Sequence, residues 1–211
     1  MFPKSTELNK RIPKTKFYEN LQLNKRVKRS FLDDIDTIVC SNKIAPSTVN
    51  VREGDKVSEI EVFTITLKSG KFDVELLRVI DEQIPYHLLF IIVSDDRYSA
   101  WISYKVKSRG KPFRVVSYYN TGKSADKLPD LELDGIDMDG IYQGFIKQIA
   151  TSDGETEWND NITLDENVKQ IEYVKKIKAE IEKLEIRKLK ESQPNKKLEL
   201  HNRIIQLRGK I

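Results

Sequence analysis

Cysteine is almost absent from this chain: one, Cys40, in 211 residues, beside two histidines. A single cysteine cannot close an internal disulfide. One Cys with two His cannot supply the ligands of a structural zinc site, so no metal and no cofactor is expected. Long apolar runs are also missing. The longest, Leu88 to Val93, is far short of the roughly 20 residues that span a bilayer. No apolar stretch follows Met1, so no secretory signal is expected. Low-complexity composition is missing too, because the middle of the chain is rich in Val, Ile, Phe, Tyr and Trp. What is present, 38% hydrophobic and 33% charged residues, predicts a cytoplasmic protein with one core and an appendage.

The net charge of +4 hides three blocks. Residues 1–35 carry nine Lys/Arg against four Asp/Glu, residues 36–164 fifteen against twenty-one, and residues 165–211 thirteen against eight. Two basic ends thus flank an acidic middle. That division suits an acidic partner at the ends, nucleic acid or protein. It also suits two solvated, Lys-rich helical ends with no partner.

Hydrophobic periodicity divides the chain in the same places. Lys4 to Arg29 reads as short helices broken at Pro13. Thr15 is placed to cap the second, with Phe17 and Tyr18 as anchors, and Asn24 to cap a third running through Val27, Phe31 and Leu32. That third helix would expose Lys25, Arg26, Lys28 and Arg29. Ile35, Ile38 and Val39 read as a buried strand, and Ser41 to Asp55 as turns. Glu59 to Leu67 alternates at period two, a strand. Val74, Leu77, Ile80 and Ile84 return to helical spacing, closed by Pro85. His87 to Ser94 is apolar almost throughout, as a strand buried on both faces is. Strand, helix and buried strand make a parallel crossover. Polar turns at Ser94–Arg97 and Arg109–Pro112 then separate Tyr98–Val106 and Phe113–Tyr119, an antiparallel meander with the buried strand. Asp137 to Ile149 gives a further helix.

The tail differs in kind. Leu164 to Leu189 carries Val168, Ile171, Val174, Ile177, Ile181 and Leu184 on one stripe. After a break at Ser192–Asn195, Leu200, Ile204, Leu207 and Ile211 continue the pattern. This predicts a helical hairpin or coiled coil. Its narrow stripe is expected to need cover from the core, a second copy or another protein.

Four kinds of chemistry can be tested on the residues. A restriction-nuclease-like site needs an acid two places before a lysine, to hold Mg²⁺ beside the attacking water. No Lys has one, and at the expected strand end the triplet is Thr66-Leu67-Lys68. Asp73 and Glu75 remain as metal ligands for a divergent nuclease, though acids also suit the first turn of a helix. Gly122-Lys123-Ser124 follows a strand, as the end of a phosphate loop would, but Ser117 replaces the first glycine and no clear helix follows. Asp130, Glu132, Asp134 and Gly135 open like an EF-hand loop, yet Ile141 stands where the bidentate Glu belongs. Cys40 reads as a buried small hydrophobe, and no sequence feature links it to His87 or His201. Trp101, Tyr104, Lys105, Tyr118 and Tyr119 offer a stacking surface for nucleic acid, but aromatics at strand spacing are more often core.

Several segments carry a resemblance: Pro3-Lys4-Ser5-Thr6 to Arg11-Ile12-Pro13-Lys14, Val79-Ile80-Asp81-Glu82-Gln83-Ile84-Pro85, Trp101-Ile102-Ser103-Tyr104-Lys105, Leu133-Asp134-Gly135-Ile136-Asp137, and the Lys/Glu-rich tail. Together they resemble a bacterial family of unknown function encoded beside DNA methyltransferase and helicase genes in restriction-like phage-defence loci. The resemblance spans nearly the whole chain and implies an accessory role in such a system. It transfers no catalytic residues.

The expectation is therefore an α+β protein: basic helices over 1–35, a mixed-sheet core over 36–150, a linker over 151–164 and a helical hairpin over 165–211. Its expected role is a non-catalytic adaptor in a DNA-modification or antiviral defence complex. Lys25, Arg26, Lys28 and Arg29 would touch phosphate or an acidic surface. Ile171, Val174, Ile177, Ile181, Leu184, Leu200, Ile204 and Leu207 would meet a protein partner, such as a methyltransferase or helicase subunit, or a second copy. The alternatives are a divergent metal-dependent nuclease and a sequence-independent DNA-binding protein.

Overall fold

Strands separated by short helical stretches build one six-stranded sheet. The computed structural model describes residues 2–211 apart from 20–22, 71, 111–112, 123–125 and 129. The chain forms two compact units, Met1–Thr156 and Glu157–Ile211. The class is α+β, with a mixed sheet in the first unit and a helical pair in the second.

The strands are β1 (Glu7–Arg11), β2 (Ile35–Ile44), β3 (Ile60–Leu67), β4 (His87–Ser94), β5 (Arg97–Lys107) and β6 (Phe113–Asn120), and they lie in chain order across the sheet. Short helices α1 (Thr15–Tyr18) and α3 (Pro46–Val49) stand before and after α2 (Lys25–Asp33) in the first part of the chain. Helix α4 (Glu75–Gln83) crosses from β3 to β4, and α5 (Met138–Ala150) follows the sheet. Only β3 and β4 run parallel, because the α4 crossover returns the chain in the same direction. At the β4–β5 turn Asp95 and Asp96 both have positive φ. That is the backbone of a tight hairpin whose twist matches its strands.

One face of the sheet carries the apolar cluster of Phe31, Ile38, Phe63, Phe90 and Ile92 with Leu77 and Ile80 of α4. Residues of the opposite parity point to the other face, where α5 packs on β5 and β6. Asn24 caps α2 by accepting from the Val27 amide at 2.8 Å, and Asp137 caps α5 through Gly140. Asp139, in the first turn of α5, accepts from the amides of Asp55, Lys56 and Val57, which fastens the loop between α3 and β3. Gly54 is required there, since a Cβ would strike the Asp139 carboxylate.

Three expectations need correction. Glu7–Arg11 is not helical but a fully exposed edge strand paired with β2. Its composition favours neither state, so the open ladder of β2 decides. Its charges suit an edge that must stay unpaired on its other side. Strand β2 continues to Ile44 instead of ending before Ser41. Thr15 does not cap α1; Lys14 precedes the helix without a side-chain cap. The predicted turn at Arg109–Pro112 lies partly outside the described residues, as do Lys123, Ser124 and Pro129.

In the second unit, α6 (Leu164–Lys190) and α7 (Pro194–Arg208) pair with each other. Thr163 and Glu166 form a capping box at the start of α6. Buried Asn167 clamps the preceding loop, accepting from the Asn159 amide at 3.0 Å and donating to its carbonyl at 2.9 Å. Pro194 starts α7 at a position where a missing amide hydrogen costs nothing. Among the described residues no helix is long and apolar enough to cross a membrane.

Candidate functional site

The most polar place inside the first unit lies where α4 crosses β5 and β6. Asp81 occupies the inward face of α4, and Lys105 of β5 reaches it. Both side chains are 0% exposed, with Nζ 2.5 Å from Oδ1. The ammonium also donates to the carbonyls of Asp81 at 3.0 Å and Tyr86 at 2.7 Å. These carbonyls belong to the last turn of α4 and the turn beyond it, where helices leave acceptors unmatched and favour a cation. Tyr118 of β6 donates its hydroxyl to Asp81 Oδ2 at 2.7 Å. Burial pushes the Asp81 carboxyl up and the Lys105 amine down, and each partner opposes the other's shift.

Further charges lie on β2 and β3. Lys43 of β2 pairs with Glu59 at 2.5 Å. Burial raises Glu61, and the neighbouring Glu59 raises it further. Buried His87 stacks at a tilt between Phe113 and Tyr142. Burial, and then the charge of Lys105, hold its imidazole down to about 3. It is a neutral aromatic filler at any ordinary pH. Tyr142 donates to the Ser103 carbonyl at 2.5 Å.

This arrangement is a clamp. The ammonium donates to two carbonyls and is ion-paired with the carboxylate, and neither charged side chain meets solvent, so no substrate reaches them. Its effect is to fasten the crossover helix to the meander. Sequence patterning missed it, because Asp81 reads as one polar residue on an amphipathic helix and Lys105 as part of a stacking surface for nucleic acid. Their only signal was that each falls inside a segment that carried the resemblance.

The residues predicted for nucleic acid or an acidic partner stand as expected on α2: Lys25, Arg26, Lys28 and Arg29 are all exposed, opposite buried Val27 and Phe31. Leu32, expected inside, is exposed. Arg26 pairs with Asp73 at 2.9 Å, and Lys28 lies over the Tyr18 ring.

The predicted partner stripe has a different fate. Ile177 and Ile181 of α6 are buried against Ile204 and Leu207 of α7, with Leu184 at their margin. Val174 and Leu200 are half-buried and Ile171 is buried. The seam expected to need an outside mate is thus largely closed by the hairpin itself, because α7 runs back along α6 and presents the same spacing. The large apolar side chains left in water include Tyr173, Ile186, Leu189, Leu198 and Ile205, and also Ile211, the last residue of the predicted pattern.

The remaining candidates are occupied with structure. Asp73 holds Arg26 and accepts from the Glu75 amide, while Lys68 donates to the Leu32 carbonyl. Among the described residues no three His, Cys, Asp or Glu are grouped to hold a metal ion. In the calcium-like stretch, the Glu132 backbone exchanges two hydrogen bonds with the Gln148 side-chain amide, and Ile141 is core. Cys40 shares a row with Phe63 and Phe90, whereas His87 shares one with Ile60 and Ile44. They point to opposite faces and form no pair. Burial, with Glu61 and Glu59, pushes the Cys40 thiol up to about 12. Tyr104, Lys105 and Tyr119 are buried, and Trp101 and Tyr118 pack against the apolar cluster. The aromatic surface is core.

The family described as a domain of unknown function, DUF4391, matches residues 1–211, and the chain belongs to it. No curated protein and no solved structure matches the chain.

Proposed function

From that membership and the geometry above, we propose that the chain is a non-catalytic accessory subunit of a cytoplasmic, bacterial DNA-modification or phage-defence complex. It docks a protein partner through the tip of its helical hairpin. The defence setting rests on the resemblance stated earlier. The docking role rests on one structural observation. Leu189 is 82% exposed and Leu198 58%, on either side of the turn between the two helices. With Ile186 they leave large apolar side chains in water on both sides of that turn. The segment 186–198 also holds five Lys/Arg against one acid. Apolar and basic together suit an acidic, amphipathic segment on the partner, such as a helix of a methyltransferase or helicase subunit.

Full-length protein carrying both Leu189→Glu and Leu198→Glu, purified from its own cells, tests this. Both positions are exposed, so the hairpin keeps its helicity. The wild type is expected in a stoichiometric complex and the variant alone. A native mass showing the wild-type chain already alone defeats the proposal, as does a variant that keeps its partner.

Exposed α2 favours a second role, contact with DNA phosphates. Changing Lys25, Arg26, Lys28 and Arg29 to Gln would then weaken DNA binding across all sequences and flatten its salt dependence. A wild-type chain whose binding ignores salt has no such contact.

A further inference from the structure

On the sheet face away from α4, a cavity of about 260 Å³ opens beside β1, β2 and β3. Two departures from regular sheet meet at its wall. The β1–β2 register slips between Glu7 and Lys10, where Asn9 takes a left-handed φ of 49°. The β2–β3 register slips between Cys40 and Asn42, which leaves Ser41 as the extra residue. Bulges redirect side chains, and a left-handed non-glycine residue is a cost that needs a reason. Here both place polar residues on one cavity: Glu7, Asn9, Ser41 and Asn42, joined by Thr64.

The polar wall offers acceptors. The Asn42 amide gives one of its two hydrogens to Thr6 Oγ1 at 2.9 Å, and its carbonyl oxygen can accept. The Ser41 hydroxyl donates to the Val62 carbonyl, and Thr64 donates to Ser41. Glu7 adds a carboxylate, which only accepts. The rest of the wall is apolar, with Phe2, Val62, Ile91 and Leu131. Apolar walls with a few convergent polar groups characterise small-ligand sites, and this volume lies just below their range of roughly 300–1,000 Å³.

We propose that this cavity binds a flat heterocycle bearing an exocyclic amine, of the nucleobase or nucleoside class. The ring lies among the apolar side chains, and the amine donates to Glu7 and the Asn42 carbonyl. The site shares no residue with those on which the accessory role rests, so it stands whether or not that role does.

The test is a titration of the full chain with adenosine and cytidine, which carry such an amine, against inosine and uridine, which do not. Two variants accompany it. Glu7→Gln lies on the exposed edge strand and removes the charged acceptor. Leu128→Trp, at a cavity-wall position 41% exposed, fills the space from a loop without changing a strand residue. Saturable binding of adenosine or cytidine is expected, at least tenfold weaker in Glu7→Gln and lost in Leu128→Trp, with inosine and uridine weaker by a similar factor. Absence of saturation with both amine-bearing nucleosides overturns the proposal. So does equal binding of the amine-free pair, or binding that neither variant changes.

Discussion

The two units solve the burial of their apolar surface differently. In Met1–Thr156 a sheet is covered on both faces, and among the described residues the apolar cluster on the α4 face alone contains fifteen buried ones. In Glu157–Ile211 the seam between α6 and α7 holds four buried residues and one at its margin. Their charges differ in the same way. The sheet unit encloses Asp81 and Lys105 completely, whereas the hairpin keeps Glu180–Arg203 and Glu185–Arg208 about half exposed. A thick core can hold a charge pair away from water, provided every acceptor and donor finds a mate. A two-helix seam has no such interior. It leaves its charges in high dielectric, where they hold little together but remain available to a partner.

The contrast can be broken most forcefully at the clamp. Lys105→Ala strands the Asp81 carboxylate in the core and frees two carbonyls. A loss of about 3–5 kcal/mol is expected in urea unfolding of the full chain. The double change Lys105→Met with Asp81→Leu should cost far less than the single change. Equal losses would mean that the charges themselves, not the stranded one, carry the stability.

Acid sharpens the same point. His87 binds protons only near pH 3 in the folded chain, against about 6.5 when unfolded. The unfolded state therefore takes up a proton first as pH falls. The contribution is whole above about pH 6.5 and declines toward pH 3 by about 1.4 kcal/mol per unit. In His87→Phe that part of the slope between pH 6 and 4.5 should vanish. An unchanged slope would locate the acid sensitivity elsewhere.

In the hairpin, Ile204→Ala should cost about 2 kcal/mol, the low end for a buried isoleucine because a thin seam collapses readily. Hydrogen exchange should quicken over α6 and α7 while β3 and β4 stay protected. The smallest effect belongs to Glu180→Gln, below about 0.5 kcal/mol by thermal unfolding and smaller still in high salt. A loss above 1 kcal/mol there would erase the distinction drawn between enclosed and exposed pairs.

Much of this architecture was legible in the residues. Alternation at Ile60–Leu67, the unbroken run from His87, and the helical spacing between them identified the parallel crossover. Asn24 marked a helix start, because capping is a local contact; Pro194 was legible only as a break, although it opens α7. The edge strand at Glu7–Arg11 was not legible. Its five residues have no buried face, and only the bare ladder of β2 makes them a strand. The candidate ligand cavity was equally hidden, since a bulge is a relation between two strands and leaves no mark in either one alone.

Local order along one chain, then, was decided by the sequence itself: where apolar residues recur, where helices begin, and that the tail forms two helices. Only the tertiary structure decided that Asp81 meets Lys105, that the tail's stripe closes on itself, and that two register slips face one cavity. Periodicity reports which side of an element is apolar, and it has no means of naming what lies against that side. Those answers come from pairings across tens of residues, set by the order in which the strands line up.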